Sequence, residues 1–431
     1  MLKNRYFRSF LVVVTLLLLC GTTAFLTGHA IRHCGYPAMP DIPLKYHLVT
    51  ISVANAQNLS LLKNVTTEMR MLDVTFSPNG NRLAISGQKG DYWTFLTGRV
   101  YEPCGVLFVW RVQPDQLSVD LSFAEATATA LIRPQFGPSG RLLYAESPTG
   151  IAAALLWDVE TNREVLHLGE GVSGSRQDAA FSQNGTALAY SNEALAYTRD
   201  GSVIQVWETS NLSSPIVQEF PDKYRGKPIF VGDETIAVVF PPHLLLWNYR
   251  EPGEPTVLVE NVDLGPIAFD AGTNYLAVSI GPDIHVWYMK TKEVIVELPW
   301  YGASEISFHP NHGFLIASSY NRITIWNAAN WIRLIDIEDF GFTTFALSTS
   351  GELFGIGYEN GVVEIWDVET GSVLRTLQNG TGAIHALDFN ADDTLLTVIS
   401  NDGYSIDFWG IVSLWSTPDK MAHWSTPSFL E

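Results

Sequence analysis

The sequence predicts an all-β fold, a single closed β-propeller of eight four-stranded blades, with seven as the alternative count. Three observations carry this prediction. Tryptophan recurs at Trp110, Trp157, Trp207, Trp247, Trp287, Trp326, Trp366 and Trp415, with gaps of 47, 50, 40, 40, 39, 40 and 49 residues. A short turn phrase opening on Phe or Leu precedes each tryptophan, and an alternating apolar run follows each phrase. A period of roughly 40–45 residues with several short apolar runs marks a propeller, because one blade cannot bury both its faces alone and a ring of blades can.

Each element follows from these marks in order. The phrase Phe76-Ser77-Pro78-Asn79-Gly80 returns as Phe136-Gly137-Pro138-Ser139-Gly140, Phe181-Ser182-Gln183-Asn184-Gly185, Phe269-Asp270-Ala271-Gly272, Phe308-His309-Pro310-Asn311 and Phe389-Asn390-Ala391-Asp392. Looser copies stand at Phe230-Val231-Gly232-Asp233 and Leu347-Ser348-Thr349-Ser350-Gly351. Runs such as Arg82-Leu83-Ala84-Ile85 and Tyr275-Leu276-Ala277-Val278 follow, so the phrase reads as a hairpin turn between two strands. A repeat therefore runs strand, turn, strand, loop, tryptophan strand, turn, strand. After Trp415 only a short tail remains, so Leu59 to Lys63 is expected to supply the outer strand of the last blade and close the ring. Closure removes the sheet edges that an open array would expose.

The repeat resembles the WD-repeat family, in the degenerate form of bacterial-type WD-repeat domain proteins. The resemblance rests on Trp366-Asp367-Val368-Glu369-Thr370-Gly371, on Trp157-Asp158-Val159-Glu160-Thr161 and on the Phe-Ser-Pro-Asn-Gly turn, and covers residues 51–417. Only Trp157 and Trp366 are followed by Asp, and the Gly-His pair that opens a family repeat is missing. Packing of the tryptophan strand is therefore expected to matter more than the hydrogen-bonded network those residues build. The resemblance implies a scaffold that binds other molecules.

Length alone would allow two or three domains in 431 residues, but the unbroken repeat argues for one domain over 51–417, with a lead segment 31–50 and a tail 418–431. Residues 1–30 form a separate object. Lys3, Arg5 and Arg8 precede a long uncharged apolar run, a pattern lying between a cleavable signal peptide and a minimal membrane-spanning helix. An uncleaved anchor through residues 9–27, with the propeller on the extracytoplasmic side, is the favoured expectation. Secretion after cleavage behind Ala24 or Ala30 is the alternative. The flanking positive charge places the N-terminus inside.

The net charge of −19 deepens without residues 1–30, which leave 23 basic against 45 acidic residues. Such a surface repels phosphate backbones and anionic lipid headgroups, so no nucleic acid partner is expected. Cys34 and Cys104 are the only cysteines outside the apolar segment, and an oxidising compartment would permit a disulfide between them, with two free thiols as the alternative.

No zinc helix, phosphate-binding loop or nucleophile elbow is present. His309 and His312 sit in a strand-joining turn, read as solvated rather than metal-binding, and Asp392 and Asp393 occupy the equivalent turn of blade eight. His385 reads as a strand residue. Neither a cofactor nor a metal is expected.

Loop lengths give the positional clue. From turn phrase to tryptophan, the eight distances are 34, 21, 26, 17, 18, 18, 19 and 26 residues. Blades eight, one, two and three thus carry insertions on one face, a continuous arc once the ring closes. Its candidate binding residues are Tyr92, Trp93, Phe95, Tyr101, Tyr197, Tyr404, Phe408 and Trp409, large rings suited to interface anchoring. Two functions follow. One is a non-enzymatic module binding a protein, peptide or glycan through this arc; the other is a hydrolase or lyase with scattered residues at the central pore.

Overall fold

A computed structural model describes residues 39–44, 48–89, 104–113, 116–125, 132–146, 154–168, 177–192, 202–220, 228–240, 242–251, 253–260, 262–309 and 313–412. Eight antiparallel sheets are present among them, six with their four strands in chain order from the centre outward and two, in the first and last blades, that also take N-terminal strands at their outer edge. Blade five is representative: Leu264–Asp270, Tyr275–Ile280, Asp283–Tyr288 and Glu293–Pro299. Eight clusters of buried apolar side chains account for the core, one at each junction between neighbouring blades. The second and third strands lie between two neighbouring blades, so both of their faces are buried. Ala154–Asp158 is buried at every position, whereas the outer strand Glu293–Pro299 is largely exposed.

Among the described residues the turn phrases lie where the sequence places them, joining first and second strands. Phe76 ends the strand Arg70–Phe76 and pairs with Leu83 across the hairpin. Gly80 holds φ +72° there, a left-handed conformation that favours glycine, and an added Cβ would stand 2.9 Å from Ala391 Cβ of blade eight. The blade tryptophans share one register. Trp110 pairs with Leu83, Trp157 with Leu143, Trp287 with Leu276 and Trp326 with Leu315, each partner seven residues beyond its turn-phrase residue. The pairing of third with fourth strand skips a residue at the tryptophan in blade after blade, a recurrent bulge that bends the outer strand.

Blade eight departs from the expected assignment in one respect. Its strands are Ala386–Phe389, Leu395–Ser400 and Ser405–Val412, with Ser60–Thr66 outermost. Trp409 pairs with Leu396, seven residues beyond Phe389, so Trp409 and not Trp415 is the eighth blade tryptophan. Trp415 lies outside the described residues. The phrase-to-tryptophan distance becomes 20 residues, and blade eight joins the blades with short connections. The strand was hidden because Asp407 looks like a loop residue. It is buried, and its carboxylate accepts hydrogen bonds from Asn64 and Ser400, which together satisfy a polar group at a core position.

The ring closes as expected, with the N-terminal strand beside the last blade, running Ser60–Thr66 rather than Leu59 to Lys63. Pairing also begins earlier than residue 51. Ile42–Pro43 adds to the outer strand of blade one, and Leu48–Val49 pairs with Val412 and Ile411 of blade eight. Ile42 and Leu44 sink into the cluster between blades eight and one, and the Trp110 indole donates to Pro40 O at 3.3 Å. The lead is thus a strap across the junction where the first and last blades meet.

Among the described residues no helix is long and apolar enough to cross a membrane. The expected N-terminal hydrophobic helix and residues 9–27 lie outside them, as does Cys34. Cys104 is the first residue of the strand Cys104–Gln113.

Candidate functional site

Antiparallel order gives the ring two unlike faces. One carries the turn-phrase hairpins and the turns between third and fourth strands. The other carries the connections between second and third strands and the crossings from blade to blade.

The hairpin face is occupied by its own blade-to-blade bonds. Asn79 Nδ2 of blade one donates to Ser139 O of blade two at 3.1 Å. Asn184 N of blade three donates to Asp233 Oδ1 of blade four at 3.2 Å. The backbone amides of Thr349 and Ser350 of blade seven donate to the two carboxylate oxygens of Asp393 at 2.7 and 2.8 Å. His309 is not a solvated turn residue: it is buried, and its Nε2 lies 3.0 Å from Ser348 O of the next blade. The next hairpin supplies the partner, so the ring buries what a single hairpin would leave wet. His312 lies outside the described residues, and among those residues no three His, Cys, Asp or Glu side chains gather as a metal site.

Asx residues after the tryptophans act locally on the same face. Asp158 accepts the Glu160 and Thr161 amides and the Arg141 guanidinium, and Asp367 accepts the Glu369 and Thr370 amides. Asn248 and Asn327 do likewise for Arg250 and Ala329. In these four blades the residue after the tryptophan therefore closes the turn to the fourth strand as an Asx turn.

The inner strands hold two perturbed carboxyls. Asp388 of blade eight is pushed up to about 7 by burial, and Asp73 of blade one to about 6 by the same cause. Asp388 Oδ2 accepts the Phe76 amide at 2.8 Å, while Asp73 accepts the Val74 amide at 2.9 Å and the Arg133 amide of blade two at 3.1 Å. These carboxyls are struts running from blade eight to one and from one to two. His385, just before the inner strand, has its Nε2 3.4 Å from the Arg70 guanidinium, and burial with that cation holds its pKa below the usual imidazole range.

The residues of the predicted arc divide into those outside the described residues and those the structure places. Tyr92, Trp93, Phe95 and Tyr101 belong to the connection between Arg82–Lys89 and Cys104–Gln113, Tyr197 to the one between Ala187–Asn192 and Ser202–Glu208. All five lie outside the described residues. Tyr404 is half-buried at the short second-to-third connection of blade eight. Phe408 and Trp409 are corrections: both are strand residues in the core, Phe408 in the cluster toward blade one and Trp409 in the cluster toward blade seven.

Three rings that loop length did not mark stand out on the connection face. Tyr301 is 81% exposed, Tyr320 74% and Phe340 71%, the exposed aromatic side chains among the described residues. Tyr301 sits in the crossing from blade five to six, Tyr320 between second and third strands of blade six, and Phe340 in the crossing from six to seven. The Tyr320 and Phe340 rings lie 5.7 Å apart, tilted by 56°. Their connections are short, and for Tyr320 and Phe340 the available signal was an aromatic in a turn with no apolar neighbour beside it in sequence.

The scaffold beside these rings is densely hydrogen-bonded. Trp300, beside Tyr301, is buried; its indole donates to Thr324 Oγ1 at 2.8 Å, and that hydroxyl donates to Asp336 Oδ1 at 2.7 Å. Arg322 binds Asp336 through both oxygens, at 2.8 and 2.9 Å, and lies 5.7 Å from the Trp300 ring centroid. Burial alone would raise Asp336, yet the hydrogen bonds from Arg322 and Thr324 hold it below the usual carboxylate range. Asn321 O accepts the Asp339 amide at 2.9 Å and Asp339 accepts the Gly341 amide at 2.8 Å, which ties the two aromatic-bearing connections together.

No family model matches the chain. The crystal structure of the C-terminal WD40 domain of Sif2 is similar in fold, with a TM-score of 0.61 at 14% identity, covering 83% of this chain and 99% of that one. Pre-mRNA-processing factor 19 of Schizosaccharomyces pombe is 25% identical over 103 residues, 24% of this chain and 21% of that protein. Meiotic fizzy-related protein 1 of the same organism is 32% identical over 77 residues, 17% of this chain and 18% of that protein. The chain thus spans about a fifth of the length of each of these curated relatives. With eight turn-and-tryptophan repeats in one register and a ring closed by its N-terminal strand, the chain is an eight-bladed β-propeller, similar in fold to a WD40 domain and with repeats that resemble the WD pattern.

Proposed function

We propose that this propeller is a non-enzymatic interaction scaffold that binds a protein partner through its connection face. One observation carries the reading: the exposed aromatic rings Tyr301, Tyr320 and Phe340 all stand on that face, the first beside the buried Trp300 and the other two on connections joined by the Asp339 amide to Asn321 O bond. Large aromatic rings bury much area at little entropic cost, which is what interface anchors need. The hairpin face is instead engaged in blade-to-blade bonding. The long connections of blades one to three open on the same face and would extend the surface around the ring. The basic flank and uncharged run of residues 1–30 support display of the ring outside a membrane, tethered through residues 9–27.

The test is photo-crosslinking from positions 301 and 340 in cells, followed by capture with the Tyr301→Ala/Tyr320→Ala/Phe340→Ala variant. The reading expects a discrete crosslinked partner that the variant no longer retains, at an unchanged melting midpoint. Crosslinks arising instead from the hairpin face, with retention by the variant, would refute it. Accessibility of an N-terminal tag to protease outside intact cells, before and after permeabilisation, tests the topology.

A further inference from the structure

The three exposed rings lie in an acidic setting. At the same ends of the blades stand the exposed side chains of Asp263, Glu305, Glu338, Asp339 and Glu359. Glu338 is the last residue of Arg333–Glu338, and Asp339 precedes Phe340 by one residue. The cation that begins a strand here, Arg322, is already bound through both oxygens of Asp336, with Glu338 3.7 Å away. The surface therefore offers ring faces and carboxylates in excess of its cations. Cations gain from both: a guanidinium or ammonium over a Tyr or Phe ring is attracted by the ring quadrupole, and adjacent carboxylates add to that attraction. The pairing of Arg322 with Trp300 and Asp336 shows the same combination within the fold.

We propose that the wedge of Tyr320 and Phe340, rimmed by Glu338, Asp339 and Glu359, receives an extended protein segment bearing Arg or Lys side chains. This rests on the connection face being the binding face. A second copy of the chain is a poor occupant, because a net charge of −19 and the same carboxylates would meet themselves. Phosphate backbones and anionic lipids are disfavoured for the same reason. An extended segment suits the geometry, since Tyr301 and Phe340 stand on consecutive crossings and one strand-like chain passing over both meets them in turn.

Fluorescence anisotropy with the full chain tests this, using an Arg-rich peptide in a Gly/Ser background, its Glu-for-Arg counterpart and the neutral Gly/Ser peptide. The Arg-rich probe is expected to bind saturably and the other two not. Tyr320→Ala/Phe340→Ala should weaken it about tenfold or more. Glu338→Gln/Asp339→Asn should weaken it by a similar factor and make binding less sensitive to salt. Glu293→Gln/Glu369→Gln, at the hairpin-face ends of outer strands, should leave binding unchanged. Equal affinity in all three variants would mean diffuse attraction to an acidic protein and would overturn the proposal. So would preference for the neutral or acidic probe. If the crosslinked partner is lost in the triple aromatic variant while its crosslinked segment is neutral or acidic, the binding face stands and the basic segment falls. Crosslinks confined to the hairpin face would remove both.

Discussion

Replacing Trp409 with Ala separates two readings of one stretch of chain. As a loop anchor, Trp409 would leave stability alone and lose the partner; as the eighth blade tryptophan, it should do the reverse. Its side chain is 8% exposed and packs with Leu396, Ile411 and Leu59 at the junction of blades seven and eight. A buried tryptophan withdraws about 150–250 Å² from water, which at ~25 cal/mol per Å² is roughly 4–6 kcal/mol as an upper figure. Measured core truncations of this size cost about 3–5 kcal/mol. With unfolding entropy of ~2.1 cal/mol/K per residue, a ring of this size should lose about 4–6 °C in melting midpoint. Differential scanning calorimetry beside Trp409→Phe and Tyr320→Ala gives the comparison. The phenylalanine variant should fall between wild type and alanine, and Tyr320→Ala should stay within about 1 °C of wild type. A Trp409→Ala protein that melts like wild type and fails to crosslink its partner would refute the register assigned to blade eight.

Three further outcomes are expected. Asp73 and Asp388 are raised in the folded state, so the native ring holds extra protons; the stability they contribute is full below the ordinary carboxylate pKa and fades as pH rises through about 6 and about 7. Melting midpoints measured from about pH 5 to 8 should fall with rising pH, and Asp388→Asn should flatten that slope. Asp158→Ala leaves the Glu160 and Thr161 amides and Arg141 without their acceptor, at a cost of about 1–3 kcal/mol by urea titration, whereas Asp158→Asn should recover the turn amides but not the Arg141 pair. A chain beginning at residue 51 lacks Ile42 and Leu44 from the junction core, and at about 2–3 kcal/mol for each buried side chain should melt well below the full chain and be cleaved sooner by protease. An unchanged melt would show the strap to be dispensable.

The repeat was legible because a propeller reuses one set of local interactions. Hairpin turns need residues that tolerate their dihedrals, inner strands need unbroken apolar character, and both recur at the blade period. Even the loosest phrases, at Phe230 and Leu347, therefore fell at hairpins. The eighth tryptophan was misassigned because local pattern cannot see that Asp407 is satisfied by Asn64, 343 residues away in the chain. Loop length is read from spacing along the chain, but exposure of a single ring depends on what neighbouring blades place beside it. Tyr320 and Phe340 could not be found that way.

Sequence by itself thus determined the fold, the direction of ring closure and the acidity of the surface, because these depend on periodicity and composition summed along the chain. Tertiary structure alone decided which tryptophan belongs to blade eight, that the lead is a strap, that His309 and Asp393 bind neighbouring hairpins, and which rings remain in water. Each of these depends on a partner from another blade, and pairing across the ring is set by packing rather than by neighbours in sequence.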